Sequence, residues 1–135
     1  MNTEKRNALV EKLSSEHEPQ LVPIDVFFDG NDDLGSIGCN LLDHPGIEAF
    51  RATFARLSER EDVDAVFAQI AEVDPGDDCW PFSDTVIVVG RIAAEDLASE
   101  LSALEPDEIG AAEDFGAPEA LLGESGKTAL AVWWD

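Results

Sequence analysis

Val63-Asp-Ala-Val-Phe-Ala-Gln-Ile-Ala-Glu-Val-Asp-Pro-Gly-Asp-Asp-Cys-Trp-Pro-Phe-Ser-Asp-Thr-Val-Ile-Val-Val89 reads as two strands and the turn that joins them. Val63 to Val73 is apolar on both faces apart from Asp64, Gln69 and Glu72. That pattern suits a strand in the interior of a sheet. Asp74-Pro-Gly-Asp77 is a turn signal, with Pro75 and Gly76 at the two central positions of a type II turn. Asp78 to Asp84 follows, and Thr85 to Val89 is a second β-rich run. The spacing predicts a hairpin with a long decorated tip.

A helix is predicted on each side of this hairpin. Before it, Asp43 to Arg60 carries Ile47, Phe50, Phe54 and Leu57 at intervals of 3, 4 and 3, one face of a 3.6-residue period. Pro45 fits the first helical position, with Asp43 or His44 as the cap. After the hairpin, Ala93 to Leu104 repeats the pattern with Leu97, Leu101 and Leu104, and Pro106 ends it. Ser36 to Leu41 reads as a strand ahead of the first helix, and Thr128 to Trp134 as a closing strand with alternating faces. From Ser36 onward the order is therefore β-α-β-β-α-β, the ferredoxin-like arrangement. The expected α+β fold is a four-stranded antiparallel sheet with both helices on one face.

The N-terminal part is an added helical segment. Asn2 to Leu13 reads as a short helix capped by Asn2 or Thr3, and Ser14 to Gln20 as a loose polar connector. Val22 to Gly30 mixes strand-forming residues with Pro23 and Gly30 at helix start and stop positions. One or two helical turns that bury Ile24, Phe27 and Phe28 are expected there. Asp107 to Gly126 is acidic and rich in Gly and Ala, with Ala120 to Leu122 adding a turn of helix. The 135 residues fit one domain, 1–135, with 1–20 as the N-terminal helix and connector and 36–135 as the core.

The segment Phe28-Asp-Gly-Asn-Asp-Asp-Leu-Gly-Ser-Ile-Gly-Cys-Asn-Leu41 is the densest mixture of turn chemistry and charge in the chain. Asp29, Asn31 and Asp33 match positions one, three and five of a calcium-binding EF-hand loop. Position six holds Leu34 where the motif needs Gly, and position twelve holds Asn40 where it needs a bidentate Glu. The better reading of Asp29, Asn31, Asp32 and Asp33 is a structural loop whose side chains accept backbone N–H bonds. No metal or other cofactor is expected.

Thirty acidic residues against eight basic ones leave a net charge of −22. Such a charge repels nucleic acid and anionic membrane surfaces and favours a cationic protein partner. The same acidity would also suit a salty cell interior, where repulsion is screened. With 44% hydrophobic residues the chain is too apolar to stay disordered. Met1 to Ser15 is polar, without the apolar stretch of a secretory leader, so a cytoplasmic protein with no membrane span is expected. Cys39 and Cys79 are then free thiols, and with only His17 and His44 beside them they make no zinc site.

No catalytic motif is present: there is no Gly-x-Ser-x-Gly, no phosphate loop and no His-Glu-x-x-His. His44 reads as a cap or surface residue, and no catalytic residue is assigned. The hairpin tip is the candidate partner-binding site. Trp80 and Phe82 would be aromatic anchors, rimmed by Asp77, Asp78 and Asp84. The competing reading folds Trp80 and Phe82 back to close the core. Trp133-Trp134 is expected to send one indole to each face of the sheet.

The phrases Phe27-Phe28-Asp29-Gly30-Asn31, Ser36-Ile37-Gly38-Cys39-Asn40-Leu41, His44-Pro45-Gly46 and Trp80-Pro81-Phe82-Ser83-Asp84-Thr85-Val86 resemble small bacterial proteins of unassigned function. Some of those look like immunity partners of secreted toxins. The resemblance touches residues 22 to 110 and implies a cytoplasmic, non-catalytic protein that masks a toxin. The leading expectation is an acidic binding protein for a basic partner. The alternatives are a small cation-dependent enzyme or metal-binding protein using the Asp29–Asp33 loop, and a regulatory subunit that dimerises through its sheet.

Overall fold

The computed structural model describes residues 2–17, 20–39, 41, 43–76, 78–115 and 128–134. The elements are α1 (Thr3–Ser14), β1 (Leu21–Pro23), α2 (Ile24–Phe28), α3 (Ile47–Ser58), β2 (Val63–Glu72), β3 (Phe82–Gly90), α4 (Ala94–Glu100), β4 (Glu108–Ala111) and β5 (Thr128–Trp133). One five-stranded antiparallel sheet has the order β1-β2-β3-β5-β4. The expected turn of helix at 120–122 lies outside the described residues.

The hairpin forms as expected, from β2 and β3, with Phe67 opposite Ile87 and Ala68 opposite Val86. Registers then carry one row across the whole sheet: Val22, Ala68, Val86, Val132 and Ile109. Partnered residues in a sheet share a face, and this face meets the helices. Val22, Ala68, Val86 and Val132 belong to one buried cluster with Leu9 and Leu13 of α1, Phe27 and Phe28 of α2, Phe50 and Phe54 of α3, and Leu97 of α4. All seven apolar positions predicted on the two main helices are buried. The opposite face carries Ile87, Val89, Ala129 and Ala131, covered in part by Ala112 of the 3₁₀ turn Ala112–Phe115. Over Val86 to Val89, β3 is therefore apolar on both faces, as suits an interior strand with cover on both sides.

The ferredoxin-like topology is corrected in two places. Ser36 to Leu41 makes no strand among its described residues. Asp33 caps a 3₁₀ turn at Leu34–Ser36, and Gly38 takes φ +63. A first strand would also have had to insert between β3 and β5. Those two pair directly, from Thr85 with Trp133 to Gly90 with Thr128, and close that slot. The sheet takes its outer strands instead from Leu21–Pro23 and Glu108–Ala111.

Each helix end has a local cause. Asn2 caps α1 by accepting from the Lys5 amide at 3.1 Å. Gly30, just past α2, has φ +82, and a Cβ there would lie 2.9 Å from Asn2 Cβ. That close approach lets the start of α1 rest on the loop, where the Asn2 amide donates to the Gly30 carbonyl at 2.9 Å. α3 starts later than expected, at Ile47, with Gly46 as its cap residue. His44 acts just ahead of it: Nδ1 accepts from the Gly46 amide at 2.9 Å and Nε2 donates to the Ile37 carbonyl at 2.8 Å. Both ring nitrogens are occupied, which makes His44 a structural residue. Glu105 in the left-handed region stops the turn Ser102–Leu104 before Pro106.

Trp134 closes the core. Its indole packs against Phe50 and Phe54 with centroids 5.7 and 6.4 Å away, and Nε1 donates to the Leu104 carbonyl at 2.9 Å. A buried indole thus keeps its one polar atom bonded. Trp133 lies half-buried on the other face of the sheet, so the two indoles divide as expected.

The end of α3 is braced by Arg60. Its Nε and a terminal nitrogen donate to the two oxygens of Asp62 at 2.8 and 2.9 Å, and the other terminal nitrogen reaches Glu100 at 2.9 Å. The Asp62 carbonyl accepts from Arg91 at 2.7 Å and Ile92 at 3.1 Å. A Cβ on Gly90 would lie 2.3 Å from that carbonyl oxygen, so only glycine fits there. Hydrogen bonding to Arg60 holds the Asp62 carboxyl below the usual aspartate range.

Phe54→Ala should cost about 3–5 kcal/mol of stability, read from urea unfolding, because it opens a cavity under α3. A loss below about 1 kcal/mol would show that the Phe54 ring is not core. The Asp62 contribution should depend on pH in one direction only. A depressed folded pKa stabilises above the unfolded value of about 3.9 and is lost as pH falls through the folded one. The stability gap between the wild type and Asp62→Asn should be present at neutral pH and vanish in acid.

Candidate functional site

The Gly/Asp loop and the hairpin tip meet. Asp33 joins them, one carboxylate oxygen accepting from the Gly35 amide and the other from the Trp80 amide, both at 2.9 Å. Asn31 is buried and holds the loop from within: its Oδ1 accepts from the Asp33 amide at 2.9 Å and its Nδ2 donates to Ser36 Oγ at 2.9 Å. Asp29 is turned the other way, toward Lys5 at 2.6 Å. Asp32 is exposed. The four acceptors of this loop therefore do not converge on a common point. Asp33 has spent both oxygens on amides: the bond from Gly35 closes an Asx turn, and the bond from Trp80 ties that turn to the tip.

The tip itself is held by Arg6 of α1, which is only 5% exposed. Its guanidinium donates to the Cys79 carbonyl at 3.0 Å, to the Gly76 carbonyl at 2.7 Å and to the Asp74 carboxylate. Sequence pattern offers no sign of this, since Arg6 sits among polar residues of a thin amphipathic helix. A cleft of about 310 Å³ lies where loop and tip meet, lined by Asp33, Cys39, Glu72, Cys79, Trp80 and Phe82. Both cysteines are free, Cys39 exposed and Cys79 half-buried. No group of three or more His, Cys, Asp or Glu side chains placed to hold a metal ion occurs among the described residues.

The predicted partner-binding residues divide. Trp80 is 1% exposed and belongs to the core cluster, so the core-closing reading holds for it and it is not an anchor presented to solvent. Its Nε1 has no hydrogen-bond partner among the described residues. Phe82 and Asp84 are half-buried and Asp78 is exposed. Asp77 lies outside the described residues.

One apolar feature escaped the sequence reading. Val26 of α2 is 41% exposed, because Ile24, Phe27 and Phe28 take the inward side of that short helix. A groove of about 430 Å³ runs beside it, walled by α2 and α3. A second depression of about 220 Å³ lies on its other side, between α1 and α2, with Trp80 in its wall. The signal in the sequence was an apolar residue on the outward face of a helix only five residues long.

Fold and site together define a small, strongly acidic α+β protein whose helices cover one face of a five-stranded antiparallel sheet. Residues 4–125 match the Uncharacterized protein YfbO family, and the chain belongs to that family. It is 32% identical over 120 residues to the Uncharacterized protein YfbO of Escherichia coli (strain K12), a match covering 85% of this chain and 82% of that protein. The resemblance to small bacterial proteins of unassigned function therefore holds. No solved structure matches the chain. Among the described residues no helix is long and apolar enough to cross a membrane.

The clamp at the tip yields a direct expectation. Arg6→Met should lower stability by roughly 2–3 kcal/mol, because two carbonyls lose a charged donor and Asp74 loses its partner. Lys5→Met, which breaks the exposed pair with Asp29, should cost under about 1 kcal/mol. Equal losses for the two variants in urea unfolding would show that the Arg6 clamp is no stronger than a surface pair.

Proposed function

We propose that the protein is a non-catalytic acidic binding protein for a basic protein partner, of the type that masks a toxin. The observation that carries this reading is the uncompensated charge. Of the eight basic residues, Lys5, Arg6, Arg51 and Arg60 are already held by Asp29, Asp74, Glu48, and Asp62 with Glu100. Thirty carboxylates against eight cations leave a net charge of −22, and most of the acidic side chains among the described residues are exposed. Such a surface attracts a cationic protein over a distance of about one Debye length, about 10 Å at 0.1 M salt. Some of the small bacterial proteins that its sequence phrases resemble look like immunity partners of secreted toxins, which fits the same reading.

The cation-dependent alternative is weaker on local chemistry. Both carboxylate oxygens of Asp33 are engaged by backbone amides, which a cation at this loop would have to displace. Among the hairpin residues, Asp78 and Asp84 supply rim charge beside Phe82. Trp80→Ala would disturb the core before it reported on any interface.

Association with the basic partner should exceed the neutral range of about 10⁵–10⁶ M⁻¹s⁻¹ and fall steeply as salt is added. The test is a pull-down at low and moderate salt, followed by stopped-flow kinetics with the cationic protein recovered. Recovery of no cationic protein, with a melting temperature that climbs steadily into molar salt, would end this reading. The acidity would then be an adaptation to a salty interior.

A further inference from the structure

We infer that the groove between α2 and α3 is the docking site for a cationic amphipathic segment of the partner, with exposed Val26 as the central apolar contact. This inference rests on the basic-partner reading above and names its surface. Three observations carry it. First, Val26 and Leu34 are the exposed large apolar residues among those described, and Val26 alone of the two borders a groove. Second, the groove floor is apolar and rigid: Ile24, Phe28 and Phe54 are 6%, 2% and 0% exposed, and the Arg51 guanidinium pins α3 to the loop after α2. It donates to the Phe28 carbonyl at 2.6 Å and the Asn31 carbonyl at 2.9 Å. The groove is therefore formed before anything binds, which lowers the ordering cost of docking.

Third, the charge at its mouth fits a cation. Arg51 is neutralised by Glu48, and Asp25 stands exposed beside the apolar floor with no ion pair among the described residues. Asp29 borders both the groove and the depression beyond Val26, and its pair with Lys5 is solvent-exposed. An exposed pair of that kind holds little net energy, so Asp29 can exchange Lys5 for a partner cation. Lys12 lines only the depression on the α1 side. The basic residues of the partner segment should accordingly lie toward α3 and its apolar residues should straddle Val26. That is the helix-in-groove mode of recognition, with acidic groups on the receptor side facing a basic helix.

The test uses the full chain, ¹⁵N-labelled, with an amphipathic Lys/Leu helical peptide as the probe and a charge-matched scramble as control. Amide shifts should concentrate at residues 24–29 and 51–58, and the amphipathic peptide should bind about tenfold tighter than the scramble. Val26→Asp should weaken it about tenfold, and Asp25→Asn should flatten its salt dependence. If Val26→Asp fails to fold, Ala55→Gln, at an exposed position lining the groove, provides the same block. Binding that maps to residues 78–84, or that ignores both substitutions, overturns the groove while leaving a basic partner in place. Equal affinity for peptide and scramble with shifts spread over the surface also overturns it. No binding of either peptide at low salt removes both readings.

Discussion

The Arg6 guanidinium is the contact on which the arrangement around the hairpin tip depends. A charge this deeply buried is costly unless it is paired and hydrogen-bonded. Arg6 meets that condition with two carbonyls and the Asp74 carboxylate from the tip, and with Asn7 Oδ1 beside it at 2.9 Å. The tip in turn gives the Trp80 amide to Asp33, and Asp33 shapes the loop that follows α2. Helix, tip and loop are thus linked through charge-assisted bonds, while the inner faces of α3 and the sheet meet through apolar packing.

That division explains what the sequence could and could not reveal. The faces of α3 and α4 were legible because burial follows a 3.6-residue period, and Ile47, Phe50, Phe54, Leu57, Leu97, Leu101 and Leu104 repeat it. The hairpin was legible because Pro75-Gly76 punctuates two β-rich runs. The edge strands were not, because three and four residues are too short to show alternation. Ile37, Cys39 and Leu41 alternate as a strand would, yet Asp33 and Gly38 bend that segment instead. Strand order is a non-local property. Nothing near Thr128 tells that β5 lies directly against β3.

The site was legible in outline. Loop and tip were both singled out by composition, and they do share a cleft. Their side-chain roles were harder, since an indole reads the same in sequence whether it seals a core or faces a partner. Trp80 does the former. The hydrogen bonds of Asp33 and Asn31 followed from general turn chemistry, whereas the Arg6 clamp joins residues about seventy positions apart and leaves no local trace.

The two outer strands of the sheet carry a consequence for how the protein meets others. β1 is three residues long and ends in Pro23, which has no amide hydrogen to offer a neighbour. β4 has four residues and begins with exposed Glu108. Short edges with a proline on one side and a charge on the other give an incoming strand little to pair with. Sheet extension, whether by a partner's strand or by stacking of copies into fibrils, is disfavoured at both ends. Recognition is left to side chains.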